Sequence, residues 1–204
     1  MSNIVNVRGI VAAETDYNEN DKMLTVISAE NGKMSVSAKG AKKPNSRFLS
    51  CAQLFCYSDM TLYCGKNGVY TLSECSLINS FYDLRNDYDV LVDAVDISKL
   101  ALKVSQEECE DPELMRLLLN TLYFLAKGEK DRNLLKCIFK IRLVYEQGFL
   151  DTENVDLNTA FGKAVKHIAG SDMKKLFSFT VSDEVVKELK AYAEKAVNGM
   201  LECV

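Results

Sequence analysis

Apolar and polar residues alternate in short runs over the first 80 positions of the chain. An alternation of period two is the pattern of a β-strand with one buried face. Five runs therefore predict strands, at residues 4–13, 22–28, 33–39, 54–64 and 69–75. Turn sequences separate these runs. Asn31-Gly32 and Asn67-Gly68 are the clearest of them, because Asn-Gly tolerates positive φ.

The third run shows the alternation best. Met34, Val36 and Ala38 fall on one side of the strand, whereas Lys33 and Lys39 fall on the other, with two serines between them. This pattern predicts a half-buried strand with a basic outer face. Five short strands are too few for most sandwiches and suit a small closed barrel, most commonly the five-stranded OB (oligonucleotide/oligosaccharide-binding) fold.

After residue 80 the apolar period becomes helical. A first helix is predicted from a stripe of Leu84, Tyr88, Leu91, Val95 and Leu102. Capping residues and glycine stops predict further helices over 112–127, 131–147, 161–170 and 182–197. The fold class is therefore α+β, with an OB-barrel domain at residues 1–80 and a helical-bundle domain at residues 81–204.

Composition and charge narrow the possible functions. The 204 residues are 48% hydrophobic and 26% charged, which is typical of a globular protein and excludes wholesale disorder. No apolar run approaches the roughly 20 residues of a membrane helix, and the N-terminus does not resemble a signal peptide. Seven cysteines, an odd number, favour reduced thiols and a cytoplasmic protein. The net charge of −4 means that an anionic partner has to meet a local basic patch.

Such a patch is predicted at the end of the third strand, in a stretch that contains no acid between Glu30 and Asp59. Cations neutralise phosphates and aromatic rings stack on bases, the two requirements for binding single-stranded nucleic acid. A solvated loop rich in lysine is the alternative interpretation. The candidate phosphate contacts are Lys33, Lys39, Lys42, Lys43 and Arg47, and the candidate stacking residues are Phe48 and Tyr63.

The sequence contains no enzyme signature and predicts no catalytic residue, metal or cofactor. The four cysteines at positions 51, 56, 64 and 75 lack the C-x2-C pairs of a zinc site. His167 is the only histidine, and its place near a helix end favours a capping role over general-base catalysis. Phosphate-binding glycine fingerprints are absent as well.

Several segments of the chain resemble the RecO family of bacterial recombination mediators, and they occur along the chain in the same order as in that family. The most specific is Ala38-Lys39-Gly40-Ala41-Lys42-Lys43-Pro44-Asn45-Ser46-Arg47. The other segments are residues 8–11, 16–26, 30–37, 84–88, 139–143 with 148–149, and 176–179. The resemblance implies a bacterial, nucleoid-associated, non-catalytic protein that binds single- and double-stranded DNA and anneals complementary strands. With RecR it would load RecA onto DNA coated by single-strand binding protein (SSB).

The resemblance has two further consequences. Family members hold the acidic, apolar C-terminal tail of SSB in the helical domain, and the candidate residues for its carboxylates are Lys136, Lys140 and Arg142. Family members also usually carry a Cys-rich zinc segment after the Gly148-Phe149 step, whereas here no cysteine follows until Cys203. A protein-interaction scaffold that docks RecR or SSB without productive DNA binding therefore stays open as an alternative, as does an RNA-binding OB protein.

Overall fold

The computed structural model describes residues 4–65, 68–152 and 155–203. Five strands come first, β1 (Ile4–Tyr17), β2 (Asp21–Ser28), β3 (Gly32–Ala38), β4 (Tyr57–Cys64) and β5 (Val69–Asn79). They are followed by a 3-10 helix (Tyr82–Arg85) and by α1 (Tyr88–Val104), α2 (Pro112–Lys127), α3 (Arg132–Glu146), α4 (Ala160–Gly170), α5 (Met173–Leu176) and α6 (Asp183–Leu201). The α+β class and the change from strands to helices near residue 80 are confirmed.

The five strands form a closed barrel in the order β1-β2-β3-β5-β4. Neighbouring strands are antiparallel except β3 and β5, which are parallel. Side chains alternate between the barrel interior and its outer surface, so Met34, Val36 and Ala38 of β3 are buried as predicted. The predicted β4–β5 hairpin forms, although Lys66 and Asn67 of its turn lie outside the described residues.

The long connection between β3 and β4 closes one end of the barrel. Ala41, Phe48, Ala52 and Cys56 from this connection belong to the same buried cluster as the inward-facing strand residues. Strand β4 begins at Tyr57 and not near residue 54 as predicted, because Phe55 adopts a left-handed conformation (φ 67°) with its ring fully buried. Burying a phenyl ring of this kind contributes about 2 kcal/mol, which offsets the backbone strain.

Helix α1 packs against β1 and buries a different face from the predicted one. Its buried residues include Ala94, Ile97 and Ala101, whereas Tyr88 is 78% exposed. The predicted stripe is wrong for this helix. Leu91, Val95 and Leu102 are only half-buried, because β1 lies against the face of the helix that carries Ala94, Ile97 and Ala101.

Two compact units divide the chain, Met1–Met115 and Arg116–Val204. Within the second unit α3 packs against α6 and α4. The predicted cap of α3 is present, since Asp131 accepts a hydrogen bond from the Leu134 N–H at 2.7 Å. Ser182 is the residue before α6, as predicted, but its side chain makes no capping hydrogen bond. A domain boundary at residue 80 stays a prediction. None of the helices in the described ranges is both long and apolar enough to span a bilayer.

Candidate nucleic-acid interface

The basic loop, residues 39–47, is fastened to the turn between β1 and β2. The backbone N–H of Lys42 donates to the Asn20 carbonyl at 3.0 Å. The N–H of Gly40 donates to Oδ1 of Asp21 at 2.7 Å. Gly40 has φ +71°, a conformation that favours glycine, and a Cβ added there would lie 3.7 Å from the Lys43 side chain. The loop is therefore held in one position at the rim of the barrel.

Two carboxylates approach this loop from β1 and β2. The Lys42 ammonium lies 2.7 Å from Oδ2 of Asp16, and its hydrogen bond lowers the pKa of that carboxyl. The pKa of Asp21 is lowered by the Gly40 hydrogen bond and, to a smaller extent, by the charges of Lys39 and Lys43. The loop itself contains no acidic residue, but Asp16 and Asp21 lie next to it in the folded protein. Its positive electrostatic field is therefore weaker than the sequence indicates.

Lys39 and Lys43 are the strongest phosphate candidates among the predicted residues. Both side chains are exposed. Among the described residues, no carboxylate forms an ion pair with either ammonium group, whereas Lys42 is paired. Lys43 also lines an open cleft along the β1–β2 turn, from Asn18 to Asp21. Free, exposed ammonium groups at one rim are what phosphate neutralisation requires.

Lys33 lies at the opposite end of β3. Six residues of strand separate it from Lys39, which corresponds to about 20 Å. Its backbone N–H donates to the Gln106 carbonyl at 2.9 Å, and its side chain shares a small depression with Glu107 and Glu108. These two belong to the acidic segment, Glu107–Asp111, which runs beside the β2–β3 turn. The structure therefore separates Lys33 from the other predicted cations and places it beside acids.

Arg47 and Phe48 interact with each other. The Arg47 guanidinium lies 4.8 Å from the centroid of the Phe48 ring. Phe48 itself is 5% exposed and belongs to the barrel core. Its ring has no free face for a base, so the structure corrects the expectation that Phe48 stacks on nucleic acid. Arg47 remains exposed and able to meet a phosphate.

Tyr63 lies on an open outer surface of the barrel. Here a row of paired residues, one from each strand, points outward from the barrel. Each of these residues is next in sequence to an inward-facing position, such as the buried Leu24, Val36 and Leu62. We call this row and its neighbours the open face. The row is Thr15, Met23, Ser37, Thr71 and Tyr63, and the flanking positions are Thr25 and Ser35 on one side and Tyr17, Asp21 and Lys39 on the other.

The open face has the chemistry of a backbone-binding surface. Thr15, Ser37 and Thr71 of this row carry small hydroxyls, which can donate hydrogen bonds to phosphate or sugar oxygens without blocking close approach, whereas Met23 in the same row is apolar. Tyr63 is 48% exposed at one margin. The sequence pattern missed the hydroxyls of Thr15 and Thr71 and the aromatic ring of Tyr17. Extending the period-two alternation of the first strand beyond Ala13 would have found Thr15 and Tyr17.

The predicted cations of α3 have mostly structural partners. Nη1 of Arg142 donates to the carbonyls of Ile168, Ala169 and Ser171 at 3.2, 2.7 and 2.9 Å. Its Nη2 pairs with Glu146 at 2.7 Å, and the side chain is only 11% exposed. Arg142 thus fastens the carboxyl end of α4 to α3 and is not available to a tail peptide, contrary to the sequence prediction.

The two lysines of α3 differ from Arg142. Lys140 pairs with Glu194 of α6 at 2.5 Å and is 23% exposed. Lys136 is half-buried on the same helix. A cavity of about 530 Å³ lies elsewhere in the second unit, between α4 and α6, with Lys195 at its wall. Its apolar lining includes Phe149, Phe161, Tyr192 and Met200, and Asp151 also lies at its wall.

The surroundings of the cysteines and of the histidine indicate roles in packing and capping. In the parts of the chain that the structure describes, no three His, Cys, Asp or Glu side chains are grouped to hold a metal ion. The residues present therefore do not fit the zinc segment usual in the family that the sequence resembles. Burial raises the pKa of the Cys75 thiol to about 12, with a hydrogen bond to Cys51 acting in the same direction. His167 contacts Ser171 Oγ and the Lys175 carbonyl, both at 3.1 Å, which fits the predicted capping role.

Comparisons with known proteins point to one family. The family model "Recombination protein O N terminal" matches residues 1–81. A DNA repair protein RecO from Acetivibrio thermocellus is 30% identical over 98% of this chain and 93% of its own length. That alignment spans 234 positions, more than the 204 residues here, so the relative carries residues with no counterpart in this chain.

Other relatives match a smaller part. The DNA repair protein RecO of Clostridium novyi is 32% identical over 72% of this chain and 57% of its own length. That of Bacillus cytotoxicus is 35% identical over 68% of this chain and 55% of its own length. In these two alignments the chain spans little more than half the length of the relative.

Proposed function

Because the chain belongs to the RecO family of DNA repair proteins, we propose that it binds single- and double-stranded DNA and anneals complementary strands. We further propose that, with RecR, it helps RecA to load onto SSB-coated DNA. The observation that supports DNA binding best is the pair of exposed ammonium groups of Lys39 and Lys43 at the rim of the open face, which have no ion-pair partner among the described residues.

The chemistry of this surface suits annealing. Lysines and hydroxyls meet the sugar-phosphate backbone and reduce the repulsion between two strands, while the pairing edges of the bases stay free. Annealing needs no covalent step, because holding two strands close together lets their bases pair. In this proposal the protein acts by holding strands in position.

Binding of a fluorescent dT oligonucleotide across a salt series tests the proposal. If Lys39, Lys43 and Arg47 each neutralise one phosphate, log K against log[salt] should have a slope of about −2. All five predicted cations would give about −3.5. The double substitution Lys39→Glu/Lys43→Glu should abolish binding and slow the annealing of complementary oligonucleotides.

A matched control is the double substitution Lys187→Glu/Lys190→Glu, which makes the same charge change on the exposed face of α6. It should leave binding of the dT oligonucleotide unchanged. If the wild-type chain does not bind the oligonucleotide at low salt, DNA binding is wrong and a protein-interaction scaffold is favoured. If an RNA competitor displaces the DNA at equal concentration, the barrel does not distinguish the sugar.

We propose in addition that the C-terminal tail of SSB binds the second unit. The apolar cavity beside Lys195 supports this better than α3 does, since such a tail offers apolar and acidic groups together. Lys136 and Lys140 stay candidates on α3. A fluorescent tail peptide should lose affinity for the Lys195→Glu protein and keep it for Lys140→Glu if the cavity is the site, with the reverse result favouring α3.

A further inference from the structure

Tyr17 is an exposed aromatic residue at the end of β1, 55% accessible to solvent. It is two residues beyond Thr15 on the strand, so both side chains point to the outer surface of the barrel. Its paired residue on the neighbouring strand β2 is Asp21. Tyr17 therefore lies on the open face, at the end where the basic loop begins.

The backbone around Tyr17 is held on both sides. Asp16, directly before it, pairs with Lys42 of the basic loop at 2.7 Å. Asn18, directly after it, takes a left-handed turn conformation (φ 61°). Asp21 accepts the Gly40 N–H at 2.7 Å. The Gly40–Asp21 hydrogen bond positions the ring relative to the basic loop before any ligand arrives, which lowers the ordering cost of binding.

The distances between strands place the ring near the free cations. Lys39 directly follows Ala38, which pairs with Lys22, so Lys39 lies beside Asp21 of β2. Asp21 in turn pairs with Tyr17 of β1. Adjacent strands are about 4.8 Å apart, so Tyr17 and Lys39 are about 10 Å apart across the face. A phosphate bound by Lys39 or Lys43 can thus have its own or the next base over the tyrosine ring.

We infer that Tyr17 stacks on a base of single-stranded nucleic acid whose phosphates lie on Lys39 and Lys43. This inference rests on the proposed function, because it requires the open face to bind DNA. Stacking uses the π face of the ring and not the phenol hydroxyl, and it accepts any base. Tyr17 is then the residue that gives the surface a preference for strands with unpaired bases.

The test compares two oligonucleotides of equal length and charge, one of dT and one with abasic residues throughout. The wild-type chain should bind the dT strand more tightly, and Tyr17→Leu should weaken dT binding about fivefold or more. The same substitution should leave binding of the abasic strand unchanged, because no base is present to stack. Tyr17→Phe should behave as wild type.

Tyr82→Leu is the matched control, since Tyr82 is 66% exposed and belongs to the 3-10 helix and not to the strands of the open face. It should change neither affinity. The inference is overturned if Tyr17→Leu weakens both oligonucleotides equally or neither of them. If the wild-type chain binds neither oligonucleotide, the proposed function fails and the inference fails with it. If the wild-type chain binds dT and Tyr17→Leu binds it equally well, only the inference is overturned.

Discussion

The ammonium nitrogen of Lys42 lies 2.7 Å from Oδ2 of Asp16, a residue 26 positions earlier in the chain. This ion pair joins the basic loop to the first strand, and it occupies one of the cations that the sequence offers to phosphate. The same rim carries Asp21, which accepts the Gly40 N–H. The nucleic-acid surface is thus smaller and more mixed in charge than a count of lysines between residues 33 and 47 indicates.

Replacing Asp16 should strengthen DNA binding. In Asp16→Asn the Lys42 ammonium loses its paired carboxylate and becomes available to phosphate, so the salt slope for a dT oligonucleotide should become steeper by about 0.7. The affinity at low salt should rise. The ion pair is exposed, so the fold should be retained. Fluorescence anisotropy across a salt series measures both quantities.

The control for this substitution is Asp59→Asn. Asp59 forms an exposed ion pair of the same length, 2.7 Å, with Arg8 on another part of the barrel surface. The change in net charge is identical, but no cation of the basic loop is released. An equal gain in affinity from both variants would mean that overall charge, and not the Asp16–Lys42 pair, limits binding.

Replacing Gly32 should destabilise the barrel by more than about 1 kcal/mol. Gly32 has φ +61°, and an added Cβ would lie 2.1 Å from the Gln106 carbonyl oxygen. In Gly32→Ala the acidic segment has to move away from the β2–β3 turn. Gly68→Ala is the control, since Gly68 has φ +71° and open space around the Cβ position. Urea unfolding should show the larger loss of stability for Gly32→Ala; similar losses would assign the whole effect to backbone conformation.

Replacing Arg142 should destabilise the second unit by about 2–3 kcal/mol, because the Arg142→Ala chain leaves the carbonyls of Ile168, Ala169 and Ser171 without their donor. Lys140→Ala removes an ion pair that is more exposed and should cost less than about 1 kcal/mol. Urea denaturation followed by circular dichroism measures both. An Arg142→Ala protein as stable as wild type would contradict the structural role assigned to this arginine.

The cysteines should differ widely in reactivity. Cys109 and Cys203 are exposed, whereas burial raises the pKa of Cys137 to about 11 and that of Cys75 to about 12. A raised pKa lowers the thiolate fraction at pH 8, and the thiolate is the reactive form. Iodoacetamide at pH 8 should therefore modify Cys109 and Cys203 first, as followed by mass spectrometry. In urea, where burial is lost, the order should disappear; early native labelling of Cys75 would contradict the packing around it.

Much of the fold follows from local patterns. The period-two runs predict the five strands and the inward-facing Met34, Val36 and Ala38, because alternation directly reports which face of a strand is buried. Asp131 and the other caps predict helix starts because a cap acts within three or four residues. The order of short motifs predicts the family that the relatives confirm.

Other features depend on residues that are distant in sequence. Helix α1 buries Ala94, Ile97 and Ala101 because β1 lies against that face, and the apolar stripe of the helix alone does not reveal its partner. Phe48 fills the barrel end although it follows a polar loop. Arg142 binds carbonyls of α4 that are 26 to 29 positions away.

Neighbouring residues encode the strand and helix pattern, the family and the position of the basic loop, so these features could be predicted from the order of residues. Which cations are free depends on the folded barrel. Lys42 meets Asp16, Lys33 lies beside the acidic segment, and Lys39 and Lys43 remain open. Electrostatic interactions depend on distance in space, and folding of the barrel brings together charges that are far apart in the sequence.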